Sequence, residues 1–164
     1  NEDKVTYRPI INIFALTILM ALTISWSLFG ELKFLTILEF FMAFTVCTLS
    51  ALKLKDIETF STSFLNYDLL AQKWVKYSYI YPYAEAASGI GMLAIPALTL
   101  IAAPISLFIG VMGTISVFKA VYIDKRELKC ACVGGDSHLP LCFVSITENL
   151  MMIFMGIWMI AKSV

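Results

Sequence analysis

Two thiols separated by one residue are the most reactive feature of this chain: Cys130 and Cys132, in Lys129-Cys130-Ala131-Cys132-Val133-Gly134-Gly135. A neighbouring ammonium and backbone N–H groups freed by two glycines lower thiol pKa values and make such a pair nucleophilic. It can serve as a redox couple or as soft-metal ligands. As a couple, a disulfide across one intervening residue closes a small, strained ring, and strained disulfides are oxidising and exchange-prone. As ligands, Cys130 and Cys132 gain two more thiols: Cys142, just past Pro140, and Cys47, in the half of its apolar run nearer the same face. Four thiolates would suit Cu(I), Hg(II) or Zn(II), so the cofactor is unknown, with a soft metal ion as the candidate. His138 shares the loop, although a solvated loop histidine is the bland alternative. For Cys47 the alternative is plain packing as a small hydrophobe.

Three carboxyl groups, Glu39, Glu85 and Glu148, fall inside long apolar runs. An ionisable group there is costly and marks either a functional site or a partner on a neighbouring helix. Glu85 is the deepest of the three by position. It is predicted to face the interior of a bundle, where a polar group on another helix can meet it. Met151, Met155 and Met159 form an i, i+4, i+8 stripe that offers thioethers to Cu(I), or simply packs. The chain contains no phosphate loop, nucleophile elbow, paired-histidine zinc motif or dinucleotide fingerprint, so hydrolytic chemistry is unsupported.

The elements that position these residues are membrane helices. Of 164 residues, 60% are hydrophobic and 15% charged, more apolar than a soluble domain of this length can bury. A span needs about 20 apolar residues. Five runs approach that length: roughly 10–29, 35–54, 77–95, 101–123 and 141–161. They are continuous rather than alternating, which argues against a β-barrel. The reading is therefore all-α: a polytopic bundle of about five transmembrane helices. Residues 56–76 are the longest polar stretch, with Phe60, Phe64, Leu65, Leu69 and Leu70 spaced along one face, as in an interfacial amphipathic helix. Tyr77, Tyr79, Tyr81 and Tyr83 suit a headgroup boundary. Pro96 and Pro104 are expected to bracket the turn into the fourth span, and Gly89, Gly91, Gly110 and Gly113 to let helix backbones approach.

Charge orients the bundle. Of the 12 basic residues, five spans put Lys4, Arg8, Lys53, Lys55, Lys73, Lys76, Lys119, Lys125, Arg126 and Lys129 on one side, and Lys33 and Lys162 on the other. Ten against two predicts, by the positive-inside rule, an inner-membrane protein with its Cys-x-Cys loop in the cytoplasm. A net charge of zero without a basic block gives no support for a nucleic-acid partner. The chain opens on Asn1-Glu2-Asp3-Lys4, and its first apolar run lacks a signal-peptide cleavage site, so a segment upstream is expected to have been removed.

Several short motifs, read jointly, resemble a known family. Tyr67-Asp68-Leu69-Leu70-Ala71-Gln72-Lys73, Tyr81-Pro82-Tyr83-Ala84-Glu85, Lys129-Cys130-Ala131-Cys132 with Gly134, Leu139-Pro140 and Glu148 are similar to the MauE branch of the MauE/DoxX redox-associated membrane proteins, over about residues 35–161. The resemblance implies a four-helix membrane unit at 35–164 preceded by an extra span and hairpin at 1–34. It also implies a thiol-redox or metal-carrier domain upstream or in trans as a partner. Name-giving members are thought to assist maturation or disulfide formation of a methylamine dehydrogenase subunit, which by position implicates Cys130 and Cys132. Two positions depart from the pattern: Cys142 stands where relatives usually have a small hydroxyl residue, and Asn149 follows Glu148 where an acidic residue is usual.

Three functions therefore stay open. One is thiol–disulfide exchange, with oxidoreductase-like activity, favoured by the resemblance. Another is soft-metal binding and transport, favoured by a reducing cytoplasmic location. A non-catalytic helical scaffold is the third.

Overall fold

The computed structural model describes residues 8–95, 97–125 and 141–164, with side chains in the last stretch described from Val144 onward. Long apolar runs become long helices because, in lipid, only an internally hydrogen-bonded backbone is affordable. These are α1 (Arg8–Phe29), α2 (Phe34–Lys55), α5 (Lys76–Leu93), α6 (Thr99–Phe118) and α7 (Leu141–Ser163), with α3 (Ile57–Leu65) and α4 (Leu69–Lys73) as short helices between α2 and α5. No strand occurs among the described residues. Among the described residues four helices are long and apolar enough to cross a membrane: α1, α2, α6 with the π-helical turn Lys119–Ile123 that prolongs it, and α7 from Val144.

The fifth expected span, α5, is the more polar helix, and its polar side chains point inward. Tyr77, Ser78, Tyr81, Glu85 and Ser88 are all buried, while Ile80, Tyr83 and Ile90 are exposed. A helix enclosed by other helices needs less apolar surface than one facing lipid, and α5 packs between α2 and α6. Ser50 of α2 donates to the carbonyl of Pro82 at 2.6 Å, inside α5, where the proline ring disrupts the regular ladder.

α6 and α7 form the most extensive pair, and α1 packs mainly on α2, joined by a buried hydrogen bond from Thr45 to Thr17. Gly30 ends α1 in the left-handed region, with φ of 69°, and its N–H reaches the Trp26 carbonyl. Pro104 lies within α6 rather than before it, so the turn from α5 is shorter than two bracketing prolines suggest.

The amphipathic stretch turns its apolar face onto the bundle. Phe60 and Phe64 are buried and stack on each other and on Tyr81, with Phe64 also against Tyr77. Asp56 and Asp68 cap α3 and α4 by accepting backbone N–H groups. The result is a short helical cap, 57–73, across one end of the bundle. At that end the π-helical turn also finishes at Ile123 and α7 starts at Leu141.

Candidate functional site

Under this cap lies a buried ionic cluster. Lys53, in the last turn of α2, is 1% exposed. Its ammonium donates to Glu85 Oε2 of α5 at 2.6 Å and to Glu148 Oε1 of α7 at 2.5 Å. Glu85 is completely buried and Glu148 nearly so. Aromatic faces close the cage: the ammonium lies 5.2 Å from the Tyr81 ring centre and 5.8 Å from that of Phe60. Three helices are thereby joined through one cation, in surroundings where ions are expensive unless paired and hydrogen-bonded.

α7 carries the polar side of this site on one helical face, Ser145, Glu148 and Asn149, at i, i+3 and i+4. Asn149 reaches over Gly113 of α6, where any Cβ would collide with its side-chain amide, and it accepts a hydrogen bond from Tyr81 at 3.4 Å. A cavity of about 10 Å³, lined by Lys53, Tyr67, Tyr81, Ser145, Glu148 and Asn149 among others, has the size of a single water site. On its other flank Glu148 borders an apolar crevice of about 60 Å³ between α1, α2 and α7, walled by Ile10, Phe14, Leu49 and Met151.

Glu85 meets its expectation: it faces the interior, and its polar partner is Lys53. Glu148 joins the same cluster. Glu39 does not; at the opposite end of α2 it accepts from Trp158 Nε1 at 2.7 Å and pairs with the half-exposed Lys162 at 2.8 Å. That pair ties the start of α2 to the end of α7, so Lys162 and Lys33, which precedes α2, share one end of the bundle.

Cys47 is half-buried in α2, and its sulfur packs against Gly89 of α5, in space that a Cβ would fill. Met155 and Met159 are wholly buried in the main hydrophobic cluster beside Met152, as packing residues. Among the described residues no group of three or more His, Cys, Asp or Glu side chains is placed to hold a metal ion. Cys130, Cys132 and His138 lie outside the described residues, and so does the side chain of Cys142.

Lys53 is the site residue that sequence reading missed. It stands in the charged stretch Lys53-Leu54-Lys55-Asp56 and reads there as the exit of a span. A signal existed: Met42, Val46, Leu49, Ser50 and Lys53 share one face of α2 at helical spacing, and all are buried. Removing Lys53 from the exposed basic residues leaves nine against two, so the charge asymmetry stands.

The cap contributes a third buried carboxyl. Asp68 accepts from the N–H groups of Leu70 at 3.0 Å and Ala71 at 2.9 Å, while Ser116 of α6 accepts from the neighbouring Leu69 N–H. Burial pushes the Asp68 carboxyl above the usual range, against the opposing pull of the Ala71 and Leu70 N–H groups and the Ser116 hydroxyl. Asp56, by contrast, is held below it by the Thr59 hydroxyl and N–H.

Comparison with known proteins places residues 31–162 on the family model described as Methylamine utilisation protein MauE. No curated protein and no solved structure matches the chain.

Proposed function

Since the chain belongs to the MauE family and is a multi-pass membrane protein of methylamine-utilisation type, we propose that it exchanges thiols and disulfides with a partner protein through Cys130 and Cys132. In the reducing direction, one thiolate attacks a sulfur of the partner's disulfide and expels the other sulfur, which takes up a proton. The second cysteine then attacks the mixed disulfide, leaving the partner as a dithiol and the Cys130–Cys132 pair oxidised. Run backwards, with the pair starting as a disulfide, the same steps oxidise a partner dithiol.

The observation that carries this reading is the family match, which spans both cysteines of the Cys-x-Cys sequence. The bundle supports it. The two thiols lie in the sequence between Lys125 and the start of α7 at Leu141, and α7 also carries Glu148 of the ionic cluster. The basic-residue count favours the cytoplasmic side for this end. A soft-metal role using Cys130, Cys132, Cys142 and Cys47 is the competing reading.

Metal content and free-thiol count of the purified protein, with and without reductant, separate the two. Exchange chemistry predicts a pair of thiols that disappears on oxidation and returns with reductant, without stoichiometric metal. Stoichiometric Cu, Hg or Zn that protects three or more thiols would replace it with the metal reading.

A further inference from the structure

Glu85 is poorly satisfied for a buried acid. Its side chain is 0% exposed at the middle of α5, and Oε2 accepts from Lys53 Nζ at 2.6 Å. Oε1 is equally buried and has no hydrogen-bond partner. An ionised carboxylate offers about four acceptor sites over its two oxygens, and a buried charge with so few of them filled is costly. Nor is the ammonium reserved for Glu85. The same Nζ meets Glu148 Oε1 at 2.5 Å, so the two acidic oxygens lie no more than about 5 Å apart around one nitrogen.

We propose that Glu85 is a proton-binding site, an acid that stays neutral at neutral pH inside the bundle. Two acids crowded into one buried site do not both ionise. One bound proton resolves the crowding: the Lys53 ammonium answers the charge of Glu148, and Glu85 accepts the Lys53 N–H as a neutral acid. The unpartnered Oε1 is then no longer part of a charge. Depth decides which acid holds the proton. Glu148 lines both the apolar crevice and the water-sized cavity, whereas Glu85 lines neither and is completely buried. The more enclosed carboxyl is the one whose ionised form is dearer.

The side chains around Glu85 fit a neutral acid. From α2, Ser50 and Cys47 meet α5 about one turn to either side of it: Ser50 spends its hydroxyl on the Pro82 carbonyl, and Cys47 packs at Gly89. Tyr81, one turn back on α5, and Phe60 of the cap turn their ring faces to the ammonium. From α7 comes Glu148, the other acid on Lys53. The proton site stands on the cluster alone and is independent of the thiol reading.

Infrared spectroscopy of the full chain in an ester-free detergent at neutral pH tests it, because the C=O stretch of a protonated carboxylic acid stands apart from the amide and carboxylate bands. The wild type should show an acid band that Glu85→Gln, a change of nearly constant shape, removes. Glu148→Gln leaves Lys53 to Glu85 alone, so Glu85 should ionise and the same band should be lost. Asp68→Asn, at the buried acid of the cap, should leave that band in place. An acid band that is absent from the wild type, that persists in Glu85→Gln, or that survives Glu148→Gln would overturn the proposal. Should Glu85→Gln fail to fold, loss or survival of the band in Glu148→Gln decides by itself.

Discussion

Replacing Lys53 by Met removes the ammonium that Glu85 and Glu148 share, at nearly constant volume. Nζ lies 2.6 Å from Glu85 and 2.5 Å from Glu148, and Lys53 is buried, so bulk solvent does not reach the two carboxyl groups to take its place. Breaking a buried ion pair by deleting one partner costs about 3–5 kcal/mol, most of it the penalty of the uncompensated charge left behind. That is roughly two to three and a half orders of magnitude in the unfolding equilibrium, and a large share of the ~5–15 kcal/mol that holds a typical domain together. Thermal unfolding of the purified protein in detergent should therefore show a pronounced loss for Lys53→Met. The triple variant Lys53→Met, Glu85→Gln, Glu148→Gln should recover at least half of it, because neither carboxylate is then left without its cation. A single variant as stable as the wild type, or a triple variant no better than the single, would refute the claim that the cluster acts as one buried ionic unit.

Gly113→Ala puts a methyl group into the Asn149 side chain and should cost about 1–3 kcal/mol in the same assay, relieved when Asn149→Ala is added. Cys142→Ser should leave the redox behaviour of Cys130 and Cys132 nearly unchanged, since exchange needs two sulfurs; a loss of metal affinity of an order of magnitude or more would instead make Cys142 a ligand. Impermeant maleimide added to intact cells should leave Cys130 and Cys132 unlabelled, and labelling from outside would reverse the assigned topology.

Most of the architecture was legible in the sequence, because in lipid the length of an apolar run and the need for an internally bonded backbone leave few options. Glu85 and Glu148 stood out as charges in apolar runs, and the interior position of Glu85 followed from the cost of facing lipid. Lys53 was not legible in the same way. A basic residue at the end of an apolar run ordinarily snorkels to the interface, and only the three-dimensional meeting of α2, α5 and α7 shows that this one turns inward. The cap was half-legible: its apolar stripe was visible, but a single helix has the same pattern whether it lies on lipid or on neighbouring aromatic rings. The pairing of Glu39 with Trp158 and Lys162 joins residues more than a hundred positions apart, which no local pattern encodes.

Whether Cys130 and Cys132 act as one redox couple is measured directly by a titration of the purified protein in glutathione buffers of graded potential. Alkylation of the free thiols, read by intact mass, should show both cysteines lost together in a single two-electron transition that Cys130→Ser or Cys132→Ser abolishes. Two thiols that stay free across the whole range, or that titrate independently of each other, would contradict it.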